Sequence, residues 1–177
     1  SSKQSFVYYD DKGKKKSLSV DRYADLIYNY VPVTSYSSDF YQIENGTVKI
    51  IDNDGDGSYD VVLKKEYTSF KPLSKSEYEY TITDRLGNVY DTQELLKEDK
   101  YHGIRDINGN PLTYDDIKMN GNISVLTKKD SNVVTEIIVY DDIKYEGEYS
   151  NYYADKQEYK IGEKTFKMSK IYSLLNN

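Results

Sequence analysis

The chain has no cysteine and no tryptophan, and only one histidine and three prolines in 177 residues. Without cysteine there can be no disulfide, iron–sulfur cluster, thiol nucleophile or zinc finger, and His102 alone cannot make a site that needs two imidazoles. The lack of tryptophan removes the commonest ring for stacking on sugars. Alanine occurs only at Ala24 and Ala154, so helices are short of their best former. No run approaches the roughly 18 apolar residues that span a bilayer, which argues against a membrane span. Arginine is confined to Arg22, Arg85 and Arg105, and 24 Lys+Arg stand against 30 Asp+Glu, a formal charge of −6. That balance argues against nucleic acid as a partner, because phosphate binding needs a basic surface.

What is present is tyrosine, 21 residues of it, with charged residues at 31% and a mean hydropathy of −0.81. Tyrosine and β-branched side chains favour strands, so the composition predicts a mostly β fold with minor α. Fully apolar residues are scarce, which predicts a core completed by phenol rings. Alternation around Gly13 predicts a hairpin from Phe6–Tyr9 to Leu18 and Val20. Asp21 ahead of Tyr23, Leu26, Ile27 and Tyr30, with Pro32 as the stop, predicts one short N-terminal helix. Segments 47–51 and 61–65 read as strands. Beyond Pro72 the alternation of Tyr78, Tyr80 and Ile82 predicts an inward-facing strand. Val125, Leu126, Val134, Ile137 and Val139, in the most apolar hairpin, are the expected centre of a second core. Short strands follow at 143–149, 152–154, 158–161 and 164–168. Together these predict short antiparallel hairpins forming a small barrel or sandwich, organised as residues 1–70 and 71–177 or as one compact domain. Residues 82–96 and 104–117 form a weak internal repeat of strand, glycine turn, strand and short helical cap. Reuse of one hairpin unit explains it more simply than a tandem binding array.

The chemistry concentrates in the loop from Asp52 to Asp60. Asp52, Asp54 and Asp56 occupy loop positions 1, 3 and 5, Gly57 position 6 and Asp60 position 9. Side chains at 1, 3 and 5 of a tight loop converge, the glycine permits reversal, and the carbonyl of Ser58 turns back toward the same point. Carboxylates and a carbonyl suit a hard cation, and Ca²⁺ tolerates such a flexible loop better than Mg²⁺. The predicted metal ligands are therefore Asp52, Asp54, Asp56, Ser58 and Asp60. Position 12, a glutamate in helix-flanked calcium loops, is Leu63 inside a strand, so this is not a paired EF-hand.

With strands on both sides, the loop resembles the calcium hairpins of integrin-type β-propeller blades. The run from Glu44 to Val62, together with residues 104–112, 123–126 and 159–169, resembles the β-rich calcium-loop modules of clostridial, Gram-positive cell-surface and S-layer-associated proteins. That resemblance implies a secreted, non-catalytic module of the extracellular cell wall, with calcium and either cell-wall polysaccharide or neighbouring domains of a longer chain as partners. Lack of cysteine and an extracellular-type calcium loop agree with that compartment. No signal peptide is legible at Ser1, so composition by itself leaves both cytoplasm and a processed exported chain open.

His102 lacks a cysteine partner and no spacing marks a pair of catalytic carboxylates, so the chain is read as not an enzyme. The alternative reading is a carbohydrate-binding module in which tyrosines at 23, 28, 30, 36 and 41, or at 145, 149, 152, 153 and 159, stack on sugar rings.

Overall fold

A computed structural model describes residues 3–9, 12–34, 38–97, 103–119, 121–140, 145–169, 171 and 174. The chain divides into two compact units, Ser1–Glu66 and Tyr67–Asn177. The expected boundary at 70/71 moves a few residues earlier, because Thr68–Phe70 forms a strand that pairs within the second unit.

The first unit holds β1 (Lys3–Tyr9), β2 (Lys15–Tyr28), β3 (Val31–Val33), β4 (Gly46–Ile51) and β5 (Tyr59–Glu66) in one sheet of order β1-β2-β5-β4, with β3 on β2. Its core is Val20, Leu26 and Val62, against which Phe6, Leu18, Phe40, Val48, Ile50 and Tyr59 pack. The predicted N-terminal helix is absent: residues 21–28 belong to β2. Leu26 pairs with Val33 on one side and with Val62 on the other, so long-range ladder bonds and burial override the local pattern. The apparent helical spacing has a cause. The register between β2 and β5 slips between Val20 and Asp25, which breaks the period-2 alternation. Asp21, expected to cap a helix, accepts the Tyr23 N–H at 2.8 Å within this irregular stretch, and Tyr23 is 81% exposed. The segment ends in a two-residue hairpin turn, Asn29 (φ 45°) and Tyr30 (φ 65°), both left-handed as that tight turn requires.

The second unit holds β6 (Thr68–Phe70), β7 (Ser74–Ser76), β8 (Thr81–Thr83), β9 (Val89–Asp91), β10 (Ile104–Asp106), β11 (Asn122–Thr127), β12 (Val134–Tyr140), β13 (Tyr149–Tyr153), β14 (Glu158–Ile161) and β15 (Lys164–Lys167). They form three sheets, β10-β12-β11-β6, β7-β8-β9 and β13-β14-β15. The fold is mostly β, but the predicted barrel does not form: among the described residues the strands are split among several small sheets, none of them closed. Hairpins dominate, yet β2–β5 and β10–β12 are parallel. Among the described residues no helix is long and apolar enough to cross a membrane.

The expected hairpin centre is correct, with Val125, Leu126, Val134, Ile137 and Val139 all buried. Ile82, Leu95, Ile104, Ile117, Ile123, Ile171 and Phe70 join that core, and among the described residues Tyr114 is the only phenol fully buried in it, with Tyr90 half-buried against it. Aliphatic side chains therefore supply most of this core, and the expected inward-facing positions of Tyr78 and Tyr80 are not found. Tyr78 is 93% exposed and Tyr80 39% exposed, because Glu77–Tyr80 is the turn joining β7 to β8 rather than part of a strand.

The internal repeat is real at the level of single atoms. Asp84 Oδ1 accepts from Leu86 N and Asn88 N, and Oδ2 from Asn88 Nδ2; Asp106 Oδ1 accepts from Asn108 N and Asn110 N, and Oδ2 from Asn110 Nδ2. Gly87 and Gly109, each at φ 86°, close the two turns by donating to the carbonyls of Asp84 and Asp106. Each turn places an isoleucine before it, Ile82 or Ile104, and an aliphatic residue within or just after its short 3-10 segment, Leu95 or Ile117, into the same core. The repeat is thus a packing unit, as the simpler reading expected.

Candidate metal centre

β4 and β5 pair antiparallel from Gly46↔Glu66 to Ile51↔Val61, with residues 52–58 as the connecting loop and Tyr59 and Asp60 already in β5. Its base is held from inside by Ile50 and Val62, and from the side by Tyr59 pairing with Val20 on β2. A Cβ on Gly46 would run into the Lys65 carbonyl, so the hairpin needs glycine where it opens.

Within the loop Gly55 (φ 77°) and Gly57 (φ 82°) take the left-handed backbone that reverses the chain twice. Asp52, Asp54 and Asp56 converge as predicted, each offering a carboxylate oxygen within 4.8 Å of the others. At that separation each pair of negative charges repels by about 1 kcal/mol in a water-like dielectric. Backbone donors offset part of this. Asp52 accepts Gly55 N–H at 2.7 Å and Gly57 N–H at 3.0 Å, Asp54 accepts Asp56 N–H at 3.2 Å, and Asp56 accepts Ser58 N–H at 2.7 Å. A carboxylate has about four lone-pair positions, so these bonds leave acceptor capacity on the converging oxygens. Such a cluster can hold one hard cation with water completing its shell.

The other two predicted ligands stand differently. Asp60, at the start of β5, lies outside the converging group; its Oδ1 accepts Asn53 N–H at 2.9 Å and ties the two ends of the loop together. Ser58 is 3% exposed, and its Oγ is buried with no hydrogen-bond partner among the described residues. Leu63 sits in the ladder opposite Lys49, where no side chain can supply the glutamate of a helix-flanked loop.

The tyrosines divide. In the first set Tyr28 donates to Glu66 at 3.0 Å, Tyr41 packs with Phe6, Tyr23 is exposed, and Tyr30 is exposed with its hydroxyl accepting from Lys65 at 2.6 Å. Tyr36 and His102 lie outside the described residues. In the second set Tyr152 pairs directly with Tyr159, and the two rings stack at 4.7 Å. Tyr159 in turn pairs with Phe166, so three rings align across β13, β14 and β15. Tyr145 lies 5.1 Å from Phe166 and Tyr149 6.4 Å from Tyr159. Tyr153 pairs with Glu158, and alternation sends it to the other face. Phe166 escaped the sequence reading, although the Gly162 turn sets the register that would have found it.

No protein family, no curated protein and no solved structure matches this chain.

Proposed function

We propose that this chain is a non-catalytic, calcium-binding structural or adhesion module of a secreted Gram-positive cell-surface protein, working at the cell wall beside neighbouring domains. The observation that carries the reading is the convergence of Asp52, Asp54 and Asp56 within 4.8 Å on a loop whose two glycines permit the required reversals. The clostridial S-layer-associated resemblance supplies the compartment. An affinity on the order of 10⁻⁴ to 10⁻³ M suits extracellular modules. Calcium at 100 times its dissociation constant then stabilises the native state by about 2.7 kcal/mol. Calorimetry with and without Ca²⁺ tests this. A rise in Tm that disappears in Asp54→Ala supports the site, whereas an unchanged wild-type Tm or an equal rise in the variant removes it.

A second reading is a carbohydrate-binding module, favoured by the aligned Tyr152, Tyr159 and Phe166, since aromatic faces stack on the apolar faces of pyranose rings. Retention of the protein on insoluble cell-wall polysaccharide, lost in Tyr152→Ala at unchanged Tm, is the expected outcome. Equal retention of both proteins would exclude this face.

A further inference from the structure

Beside the β7–β8 turn lies an open pocket of about 370 Å³ lined by Tyr78, Tyr80, Gln93, Leu96 and Lys97. Tyr78 stands almost fully in solvent, and Leu96 is exposed beside it, an arrangement that gains nothing for folding. Tyr80 is held at φ 52°, a left-handed conformation that glycine or asparagine takes without comparable strain. A glycine would make the same turn more easily, so the phenol ring is kept against a backbone cost.

The surroundings fix that ring. The Tyr80 carbonyl accepts both the N–H and the hydroxyl of buried Thr92, at 2.9 and 2.5 Å. The ring meets buried Tyr114 edge to face at 5.9 Å, and the Tyr114 hydroxyl lies 3.1 Å from the Thr81 carbonyl. One wall of the pocket is therefore rigid and aromatic, and the other is an open aromatic plate. Gln93 and Lys97 place an amide and an ammonium beside the rings, with Gln93 Nε2 only loosely engaged, 3.5 Å from the Glu79 carbonyl.

We infer that this pocket binds a neutral saccharide, one pyranose stacking on Tyr78 and Tyr80 while its hydroxyls bond to Gln93 and Lys97. Anionic ligands are disfavoured, because Lys97 already lies 3.6 Å from the Glu94 carboxylate. A polyproline segment also stacks on tyrosine but has only carbonyls to offer, which leaves the Gln93 amide oxygen unused. For its ligand class the inference rests on the carbohydrate reading; its location is independent of the β13–β15 face and of the calcium loop.

Amide NMR titrations of the full chain with cellotetraose, chitotetraose and decaproline test it. Saturable shifts confined to residues 76–97 are expected with at least one sugar. They should weaken roughly tenfold or more in Tyr78→Ala and in Tyr80→Gly, with both variants still folded. Tyr152→Ala should leave these shifts intact. The pocket is overturned if neither sugar shifts 76–97, if the shifts persist in both pocket variants, or if decaproline saturates more tightly. Sugar shifts on β13–β15 alone, abolished by Tyr152→Ala, would overturn the pocket while keeping the carbohydrate reading; the absence of shifts anywhere would end both.

Discussion

Asn29 grips Glu66 at both edges of one backbone position: its Oδ1 accepts the Glu66 N–H at 2.9 Å and its Nδ2 donates to the Glu66 carbonyl at 3.2 Å. The Asn29 N–H also donates to the Lys64 carbonyl at 2.9 Å, so the β2–β3 turn fastens the end of β5. Tyr28 and Lys64 converge on the Glu66 carboxylate at 3.0 and 3.3 Å. Asn29 is buried and left-handed, a position where asparagine serves both conformation and bonding. Asn29→Ala should cost the first unit about 1–3 kcal/mol for the unpaired buried groups. Asn29→Gly should cost less, because it relieves φ. Urea unfolding of both variants checks this; equal losses would show that φ contributes nothing.

Acid should act on the two turn carboxylates of the second unit. Asp106 is held below its ordinary 3.8 chiefly by the Asn110 side-chain amide, and Asp116 chiefly by the Thr113 backbone N–H and then its hydroxyl. Both groups favour the charged form in the fold. Their contribution is present above the unfolded value and is lost as pH falls through the depressed folded values, thus below about pH 4. Carboxyl ¹³C titration should place both under 3.8, and Asp106→Asn should lessen the fall in Tm on acidification. Ordinary titration of both would refute the assignment.

At alkaline pH the sign reverses. Burial, then the hydrogen bond and charge of Asp84, push Tyr90 upward, and burial pushes Tyr114 upward. The neutral phenols contribute below the unfolded value near 10, and that contribution is lost as pH rises through the raised folded values. Ultraviolet titration should place Tyr90 and Tyr114 among the phenols that ionise above the ordinary range. Tyr90→Phe should remove one of them and cost about 1–2 kcal/mol, because Asp84 loses a donor at 3.0 Å.

The β11–β12 hairpin should be the last element to open. Ile137 is fully buried between its partners Val125 and Ile104. Ile137→Ala should cost about 2–5 kcal/mol. Native-state hydrogen exchange should show the slowest amides at 134–140, and fast exchange there would mean that the stable core lies elsewhere.

Elements whose signal is local were legible. Strands β4, β5, β11, β12, β14 and β15 carry their own alternation and turn residues, and the acidic loop carries its ligand types at fixed spacing. Legibility failed where a distant partner decides. β2 pairs in parallel with β5 across some 30 residues of intervening chain, and no window centred on Leu26 contains Val62. The alternation of Tyr78 and Tyr80 gives no strand for the same reason. The turn at 77–80 is set by the Tyr80 carbonyl meeting Thr92, whose own place depends on the core around Leu95.

The sequence by itself determined that the chain has no thiol or paired-imidazole chemistry, that it is mostly β, and that Asp52, Asp54 and Asp56 are spaced to bring their carboxylates together in one loop, because residue types and short spacings set these directly. Only the tertiary structure decided that aliphatic side chains dominate the core of the second unit, and which tyrosines stand in solvent, as Tyr23 and Tyr78 do, and which pack against a core, as Tyr59 and Tyr90 do. Burial depends on which faces the sheets bring together, and a phenol with its hydroxyl is less costly to leave in water than an isoleucine.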